Sequence, residues 1–324
     1  MSHPPSADFT SLPDLAAERL GGAVTEANDE FFAPKESLLK ASAAEWREGV
    51  YTERGKWMDG WETRRRREPG HDWAIIRLGL PGRIHGVVVD TAFFRGNYPE
   101  SCSIEGAESA NGPWTELLPK SPLKGDARNL FPIHDSRPTT HATRITHIRL
   151  NIYPDGGVAR LRVHGEVMPD WDRLLAGGGW VDLAALENGG RVVEQSDMFF
   201  GHAANMLQPG RSTHMGDGWE TKRRRGPGHD WAVIRLARAG TIRRIELDTD
   251  HFKGNAPGSC SLEASTDGSR WTPLLGESKL QPHARHVFDQ VNAVAEATHV
   301  RLNIFPDGGV ARLRLFGTVT GPAR

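Results

Sequence analysis

The amino-acid sequence predicts an all-β protein made of two tandem jelly-roll β-sandwich domains. Three observations lead to this fold class. The chain repeats itself once along its length, apolar and polar residues alternate within short segments, and 36 Gly and 21 Pro supply many turns between them. A chain of 324 residues is also long enough for two domains with separate hydrophobic cores.

The internal repeat covers most of the chain. Residues 59–78 recur at 217–236 with 17 of 20 positions identical. Further matched blocks join 14–32 to 182–200, 90–105 to 248–263, and 146–165 to 298–317. We therefore predict a first domain at residues 12–168, a linker at 169–179, and a second domain at 180–324.

Within each repeat the apolar residues follow the two-residue period of a half-buried strand. In HIRLNIY the inward residues are Ile148, Leu150 and Ile152, and in VARLRVH the arginines Arg160 and Arg162 are expected to point outward. The PDGG segment at 154–157 has the composition of a tight hairpin turn between these strands. The segments WAIIRL, IHGVVVD, SCSIEGA, WTELL and RNLFPI bring the expected number to about seven strands per repeat.

Composition excludes several classes of function. The 40 Lys and Arg residues balance 41 Asp and Glu residues, which argues against a nucleic-acid partner. No segment approaches 18 apolar residues, and the N-terminal segment MSHPPSADFT does not resemble a secretory signal, so we expect a cytoplasmic protein without a membrane span. Cys102 and Cys260 occupy equivalent positions in different repeats, and no disulfide is expected between them.

The first repeated block concentrates residues that can carry chemistry. Glu62, Arg66, His71 and Asp72 lie between two tryptophans, and the second repeat retains them as Glu220, Arg224, His229 and Asp230. The block thus combines carboxylates and imidazoles, which can transfer protons, with guanidinium groups that can hold a carboxylate. A purely structural loop, anchored by its tryptophans and with solvated arginines, is the competing interpretation.

The other two blocks add candidate binding residues. Asn97 and Asn255 follow a glycine at the tip of a loop, where their amides could bind a polar group. Arg160 and Arg312 are candidates for a second carboxylate contact. We find no phosphate-binding loop, dinucleotide fingerprint, HExxH, CxxC or serine nucleophile motif, and predict no cofactor and no metal.

The blocks DGWETxRRRxxGHDW, DTxxFxGN and NIxPDGGxARLR resemble those of the allantoicase (allantoate amidinohydrolase) family over about 300 residues. The resemblance implies tandem jelly-roll domains similar to galactose-binding modules. It also implies hydrolysis of allantoate to ureidoglycolate and urea in purine degradation, by a homo-oligomer that is a hexamer in the family.

Chemistry suggests roles for these residues in such a reaction. His71 or His229, oriented by Asp72 or Asp230, would protonate the leaving ureido nitrogen, and Glu62 or Glu220 would activate water. Arg66 or Arg224, together with Arg160 or Arg312, would bind the carboxylate, while Asn97 or Asn255 would bind a ureido arm. The alternative is a non-catalytic, carbohydrate-binding tandem β-sandwich. The sequence leaves open which repeat carries the site.

Overall fold

The protein, studied as a computed structural model, is described here over residues 9–133 and 144–320. The chain divides into unit 1, residues 1–168, and unit 2, residues 169–324. Residues 1–8, on which the expectation of no secretory signal partly rests, lie outside the described part. Among the described residues we find no helix that is long and apolar enough to cross a membrane.

Unit 1 is built almost entirely from strands. They are β1 (Ala23–Ala27), β2 (Tyr51–Thr52), β3 (Gly55–Lys56), β4 (Trp61–Glu62), β5 (Asp72–Asp90), β6 (Ser101–Ala107), β7 (Thr115–Pro122), β8 (Arg128–Pro132), β9 (Ile145–Tyr153), β10 (Gly157–Val158) and β11 (Arg160–Val167). Short 3₁₀ turns occur at Phe9–Ser11, Glu18–Leu20 and Lys35–Leu39.

Unit 2 repeats this arrangement after a short helix, α1 (Trp171–Leu175), capped by the Asp170 carboxylate. Its strands are β12 (Val181–Asp182), β13 (Arg191–Gln195), β14 (Trp219–Glu220), β15 (Asp230–Asp248), β16 (Ser259–Ser265), β17 (Thr272–Lys279), β18 (Arg285–Phe288), β19 (Ala297–Phe305), β20 (Gly309–Val310) and β21 (Arg312–Val319). The 3₁₀ turns are Leu186–Asn188, Ala203–Leu207 and Met215–Asp217. The predicted all-β, two-repeat fold class is confirmed.

One long strand in each unit belongs to both layers of the sandwich. The first half of β5 pairs with β1 and β9, and the second half pairs with β8 and β11, with a register break between Arg77 and Gly82. At the break, a Cβ on Gly82 would lie 2.2 Å from the Glu166 carbonyl oxygen, so the close approach requires glycine. WAIIRL and IHGVVVD are therefore one 19-residue strand and not the two strands expected from the sequence. Strand β15 behaves in the same way in unit 2.

The predicted PDGG hairpin is wrong. Strand β9 pairs with β5 and β6, whereas β11 pairs with a different part of β5, so the two strands joined by residues 154–157 are not neighbours. The segment instead crosses from one layer to the other, and β10 pairs with β4 on the way. Gly156 has a φ of 138°, which explains the glycine in this corner.

The core lies between the two layers and follows the predicted alternation. The inward residues Ile148, Leu150, Ile152, Leu161 and Val163 are fully buried, as expected from the sequence. Cys102 and Cys260 are buried free thiols, as predicted. Burial raises the pKa of each thiol to about 12, so both remain protonated near neutral pH.

A largely buried aspartate fastens the beginning of each repeat to its last long strand. In unit 2, Asp182 Oδ1 accepts hydrogen bonds from the backbone N–H groups of Ala184 and Leu315, and Oδ2 lies 3.5 Å from Arg314 Nε. Burial raises the pKa of Asp182 to about 6, and the nearby arginine only partly offsets this effect. The folded protein therefore binds this proton more tightly than the unfolded chain.

This shift predicts a pH-dependent contribution to stability. Because the Asp182 pKa is higher in the folded state, its stabilising contribution is complete below about pH 4 and is lost as the pH rises to about 6. We expect the unfolding free energy of the wild type, relative to Asp182→Asn, to fall by up to about 3 kcal/mol across this interval. Chemical denaturation at several pH values measures this difference in unfolding free energy, with Asp170→Asn as the control. A difference that does not vary with pH would contradict the assignment.

Candidate active site

The sequence blocks at 59–78, 90–105 and 146–165 meet at one end of the first sandwich, and their counterparts meet in the same way in the second. In unit 1 the Thr63 hydroxyl accepts a hydrogen bond from the Gly156 N–H at 3.1 Å, and the Gly157 N–H donates to the Asn97 carbonyl at 2.7 Å. The Arg66 N–H donates to Asp155 Oδ2 at 2.8 Å. The equivalent backbone contacts occur in unit 2. The blocks are thus similar in the two repeats partly because they fold against one another.

A carboxylate and an amide form the centre of this loop cluster. Asn97 Nδ2 donates a hydrogen bond of 2.7 Å to Glu62 Oε1, and Asn255 Nδ2 donates to Glu220 Oε1 in unit 2. The backbone of Glu62 is held by β10 and by a bridge to Ala33. Burial raises the pKa of Glu62, against the opposing effect of the Asn97 hydrogen bond. A carboxyl with this shift is suited to proton transfer nearer to neutral pH.

The predicted partnership between histidine and aspartate is wrong in both units. Asp72 is buried and accepts hydrogen bonds from Arg66 Nη1 at 2.6 Å and Asn28 Nδ2 at 2.9 Å, with no bond to His71. In unit 2, Asp230 is bound by Arg224 and by the Ser196 hydroxyl. The physical reason is the alternation along β5 and β15, which turns the aspartate into the sandwich and the preceding histidine to its outer face.

The arginine–aspartate pair keeps unmet hydrogen-bonding capacity. Among the described residues, the buried side-chain atoms without a partner include Arg66 Nε, Asp72 Oδ2 and Arg224 Nε. Such atoms are uncommon because an unpaired buried donor or acceptor costs free energy. Within this pair, one buried donor and one buried acceptor are therefore unpaired in unit 1, and one buried donor in unit 2.

His71 and His229 instead lie on the outer face of the larger sheet of each unit, the layer formed by β1, β5, β9, β6 and β7 in unit 1 and by β13, β15, β19, β16 and β17 in unit 2. The His71 ring centroid is 4.8 Å from that of Tyr153, and the His229 ring is 4.6 Å from Phe305. His229 Nε2 also lies 3.1 Å from Asn303 Oδ1. The site residues predicted from the sequence do not include the neighbouring outward residues Glu105, Arg149, Glu263 and Arg301. Their retention at matching strand positions in both repeats was the available signal.

Arg160 and Arg312 were incorrectly assigned as outward-facing carboxylate ligands. Arg160 is 2% exposed and pairs with Asp59 Oδ2 at 2.6 Å. Its remaining guanidinium hydrogens go to carbonyl oxygens of Ser42, Ala43, Asp59 and Ala159. Arg312 forms the equivalent pair with Asp217 at 2.8 Å. In unit 1 the loop that carries the Ser42 and Asp59 carbonyl groups covers the beginning of β11, where Arg160 lies. These arginines therefore stabilise the fold and have no free N–H edge for a ligand.

No group of three or more His, Cys, Asp or Glu side chains within residues 9–133 and 144–320 has the arrangement of a metal site. The polar groups at the loop end can transfer protons through Glu62 or Glu220 and form hydrogen bonds through amide and guanidinium groups.

Fold and site together define a tandem β-sandwich protein with a glutamate-centred polar site at the loop end of each unit. The sequence profile described as the allantoicase repeat matches residues 13–168 and 181–320. The chain therefore belongs to the allantoicase family. This confirms the resemblance found in the sequence.

Individual relatives match almost the whole chain. A probable allantoicase of Pseudomonas aeruginosa (strain UCBPP-PA14) is 49% identical over 330 residues, covering 96% of this chain and 97% of the relative. One of Nocardia farcinica (strain IFM 10152) is 51% identical over 324 residues, covering 97% and 96%. The crystal structure of allantoicase from Saccharomyces cerevisiae superimposes with a TM-score of 0.81 at 38% identity, covering 98% of this chain and 99% of that one.

The buried pair between Arg160 and Asp59 predicts a large effect on stability. Replacing Arg160 with Met removes one partner of a desolvated pair, although Lys40 still contacts Asp59 at 2.8 Å. We expect a loss of about 3 to 5 kcal/mol in the free energy of unfolding, measured by denaturant titration. Arg95→Met, which breaks an exposed ion pair with Asp126, is the control and should cost less than about 1 kcal/mol. Equal effects of the two substitutions would contradict the structural role.

Proposed function

We propose that this protein hydrolyses allantoate to ureidoglycolate and urea in purine degradation. The observation that supports this most strongly is membership of the allantoicase family over both repeats. Relatives named as probable allantoicases cover nearly the full chain, which does not favour the carbohydrate-binding alternative. The glutamate-centred site at the loop end of each unit offers the chemistry that such a hydrolysis needs.

Glu62, or Glu220 in unit 2, performs both proton transfers in this proposal. Its protonated carboxyl donates a proton to the leaving ureido nitrogen, while the lone pair of the other ureido nitrogen expels urea and leaves an N-acyliminium ion. The resulting carboxylate then removes a proton from a water molecule as the water oxygen bonds to the central carbon. This step regenerates the protonated carboxyl, so protons and electrons balance. The raised pKa of Glu62 favours the protonated form that starts the cycle.

Substrate binding is assigned to polar side chains of the same loop cluster. Asn97 and Asn255 hold the glutamate oxygen and can exchange that contact for a ureido group. Arg66 and Arg224 each have an unpartnered Nε, which can donate to a carboxylate or ureido oxygen. In unit 1 the unpartnered Asp72 Oδ2 adds an acceptor for a ureido N–H.

Both units are assigned a site, because the hydrogen bonds that build it occur in each. Asp72 and Asp230 act by positioning Arg66 and Arg224. The acid role suggested for His71 and His229 passes to the glutamates, since these histidines face the outer side of the sheet and contact aromatic rings there.

The cellular setting is also part of the proposal. We place the enzyme in the cytoplasm, where the two buried free thiols would remain reduced. We further propose a homo-oligomer, with the hexamer implied by the family resemblance as the expected state. Exposed aromatic pairs at equivalent positions support association: Phe199 is 70% and Phe200 62% exposed in unit 2, and Phe31 and Phe32 occupy the matching positions in unit 1.

The activity can be tested directly with purified protein. We expect urea to be released from allantoate but not from arginine, because the proposed expulsion of urea requires a second ureido nitrogen on the same carbon. A coupled urea assay from about pH 6 to pH 9 measures this. Absence of urea release from allantoate throughout this range would refute the proposed function.

The glutamates can be tested through the repeat itself. Glu62→Gln and Glu220→Gln keep an oxygen for the asparagine hydrogen bond but remove the transferable proton. With two equal sites, each single variant should keep roughly half of the turnover, and the double variant should lose on the order of 10² to 10⁴-fold. Glu108→Gln, at an exposed position, is the control. A folded double variant with wild-type turnover would contradict the assignment.

A further inference from the structure

The outer face of the larger sheet in unit 2 contains a cleft that the proposed reaction does not use. Its volume is about 480 Å³, within the range of small-molecule sites. Residues from the four adjacent strands β15, β19, β16 and β17 line it. They include Trp231 beside β19, Arg301 and Phe305 on β19, and Ser261 and Glu263 on β16.

A charged pair at one side of the cleft presents an acceptor and a donor together. Glu263 Oε2 receives hydrogen bonds from Arg301 Nε at 2.8 Å, from Arg301 Nη2 at 2.6 Å and from Asn303 Nδ2 at 3.1 Å. All three bonds end on one carboxylate oxygen, so Oε1 is left to accept a further hydrogen bond. Arg301 Nη1 takes no part in the pair and can donate. The two charges offset each other, which favours a ligand group that is polar but uncharged.

Aromatic surfaces border these polar atoms. Trp231 and Phe305 line the cleft, and the Arg301 guanidinium stacks on the Trp271 ring at 4.8 Å. The His229 ring packs against Phe305, and its Nε2 faces Asn303 Oδ1. Flat walls around an adjacent donor and acceptor complement a planar group that has its own N–H and C=O side by side.

Unit 1 contains the same polar residues but fills the equivalent space. Tyr153 replaces Phe305, and its hydroxyl lies 3.0 Å from Ser103 Oγ. Lys120 lies over the Tyr153 ring at 4.5 Å. At the matching position of unit 2, Glu277 instead accepts a hydrogen bond from Ser259 at 2.6 Å. In unit 1 the Tyr153 hydroxyl and Lys120 therefore cover the space that corresponds to the cleft of unit 2.

We propose that the cleft on the outer sheet face of unit 2, lined by Trp231, Ser261, Glu263, Arg301 and Phe305, binds a small planar ligand with a ureido or carboxamide group. The ligand N–H donates to Glu263 Oε1, its C=O accepts from Arg301 Nη1, and its plane lies against the aromatic walls. The cleft is a binding site separate from the glutamate sites of the proposed reaction, and Tyr153 and Lys120 occupy the corresponding space in unit 1.

The experiment follows the cleft itself by ¹⁹F NMR of full-length protein that contains 5-fluorotryptophan. Comparison with Trp231→Phe and Trp73→Phe assigns the two equivalent signals in units 2 and 1. The probe is hydantoate, which has one ureido group and cannot expel urea by the proposed route. We expect saturable movement of the Trp231 signal at millimolar hydantoate and no movement of the Trp73 signal.

Two reciprocal variants test the role of the phenolic hydroxyl. In Phe305→Tyr, the hydantoate concentration that moves the Trp231 signal should rise at least tenfold. In Tyr153→Phe, where the substitution lies in unit 1, this concentration should stay unchanged. Glu263→Gln should weaken the response of the Trp231 signal more than Phe305→Tyr does. Urea release from allantoate should stay at the wild-type level in Phe305→Tyr. Circular dichroism checks that each variant is folded.

The proposal is overturned if the Trp231 signal does not respond to hydantoate, or if Phe305→Tyr responds as the wild type does. A response to galactose in place of hydantoate would also overturn it and identify a sugar site. Because the readout is a tryptophan inside the cleft, these results do not depend on whether the protein hydrolyses allantoate.

Discussion

The passage of one continuous strand through both layers is the constraint on which each unit depends. Strand β5 supplies partners for four other strands, and β15 does the same in unit 2. The change of layer is possible only where the backbone can come unusually close to a neighbouring strand, as at Gly82 beside the Glu166 carbonyl. The ends of the layers, and therefore the loops that join them, are fixed by the position of this bend.

Much of this arrangement could be read from the sequence, because it depends on local patterns. The repeat and the two-residue apolar period correctly predict the number of units, the fold class and the buried residues of β9 and β11. The pairing of strands could not be obtained in the same way. PDGG has the local composition of a hairpin, but its neighbours along the chain belong to different layers, and only the long-range pairing of β5 determines that.

In the candidate site, too, the sequence indicates features that depend on local patterns and not those that depend on contacts between distant residues. The sequence assigned Glu62 and Asn97 to one proposed site, and their side chains meet at 2.7 Å across 35 positions of the chain. It placed Arg160 in solvent because the strand alternation puts it opposite the core. The loop that covers that face comes from about 100 residues earlier, where no periodic pattern indicates its path. Burial by a distant loop therefore turned an expected ligand-binding group into a structural one.

Arg160 also bears on how each unit folds. Its guanidinium joins carbonyl groups 118 and 101 residues away in the chain, and Arg312 makes contacts over a similar separation. Contacts between such distant residues require the closure of very long loops, a slow and entropically costly event, before they can contribute any stability. The covering loop should therefore become ordered only after the layers have assembled. Since Asp59 and Glu62 follow this loop directly in the chain, the surroundings of the Glu62 carboxyl would be completed late in the folding of the unit.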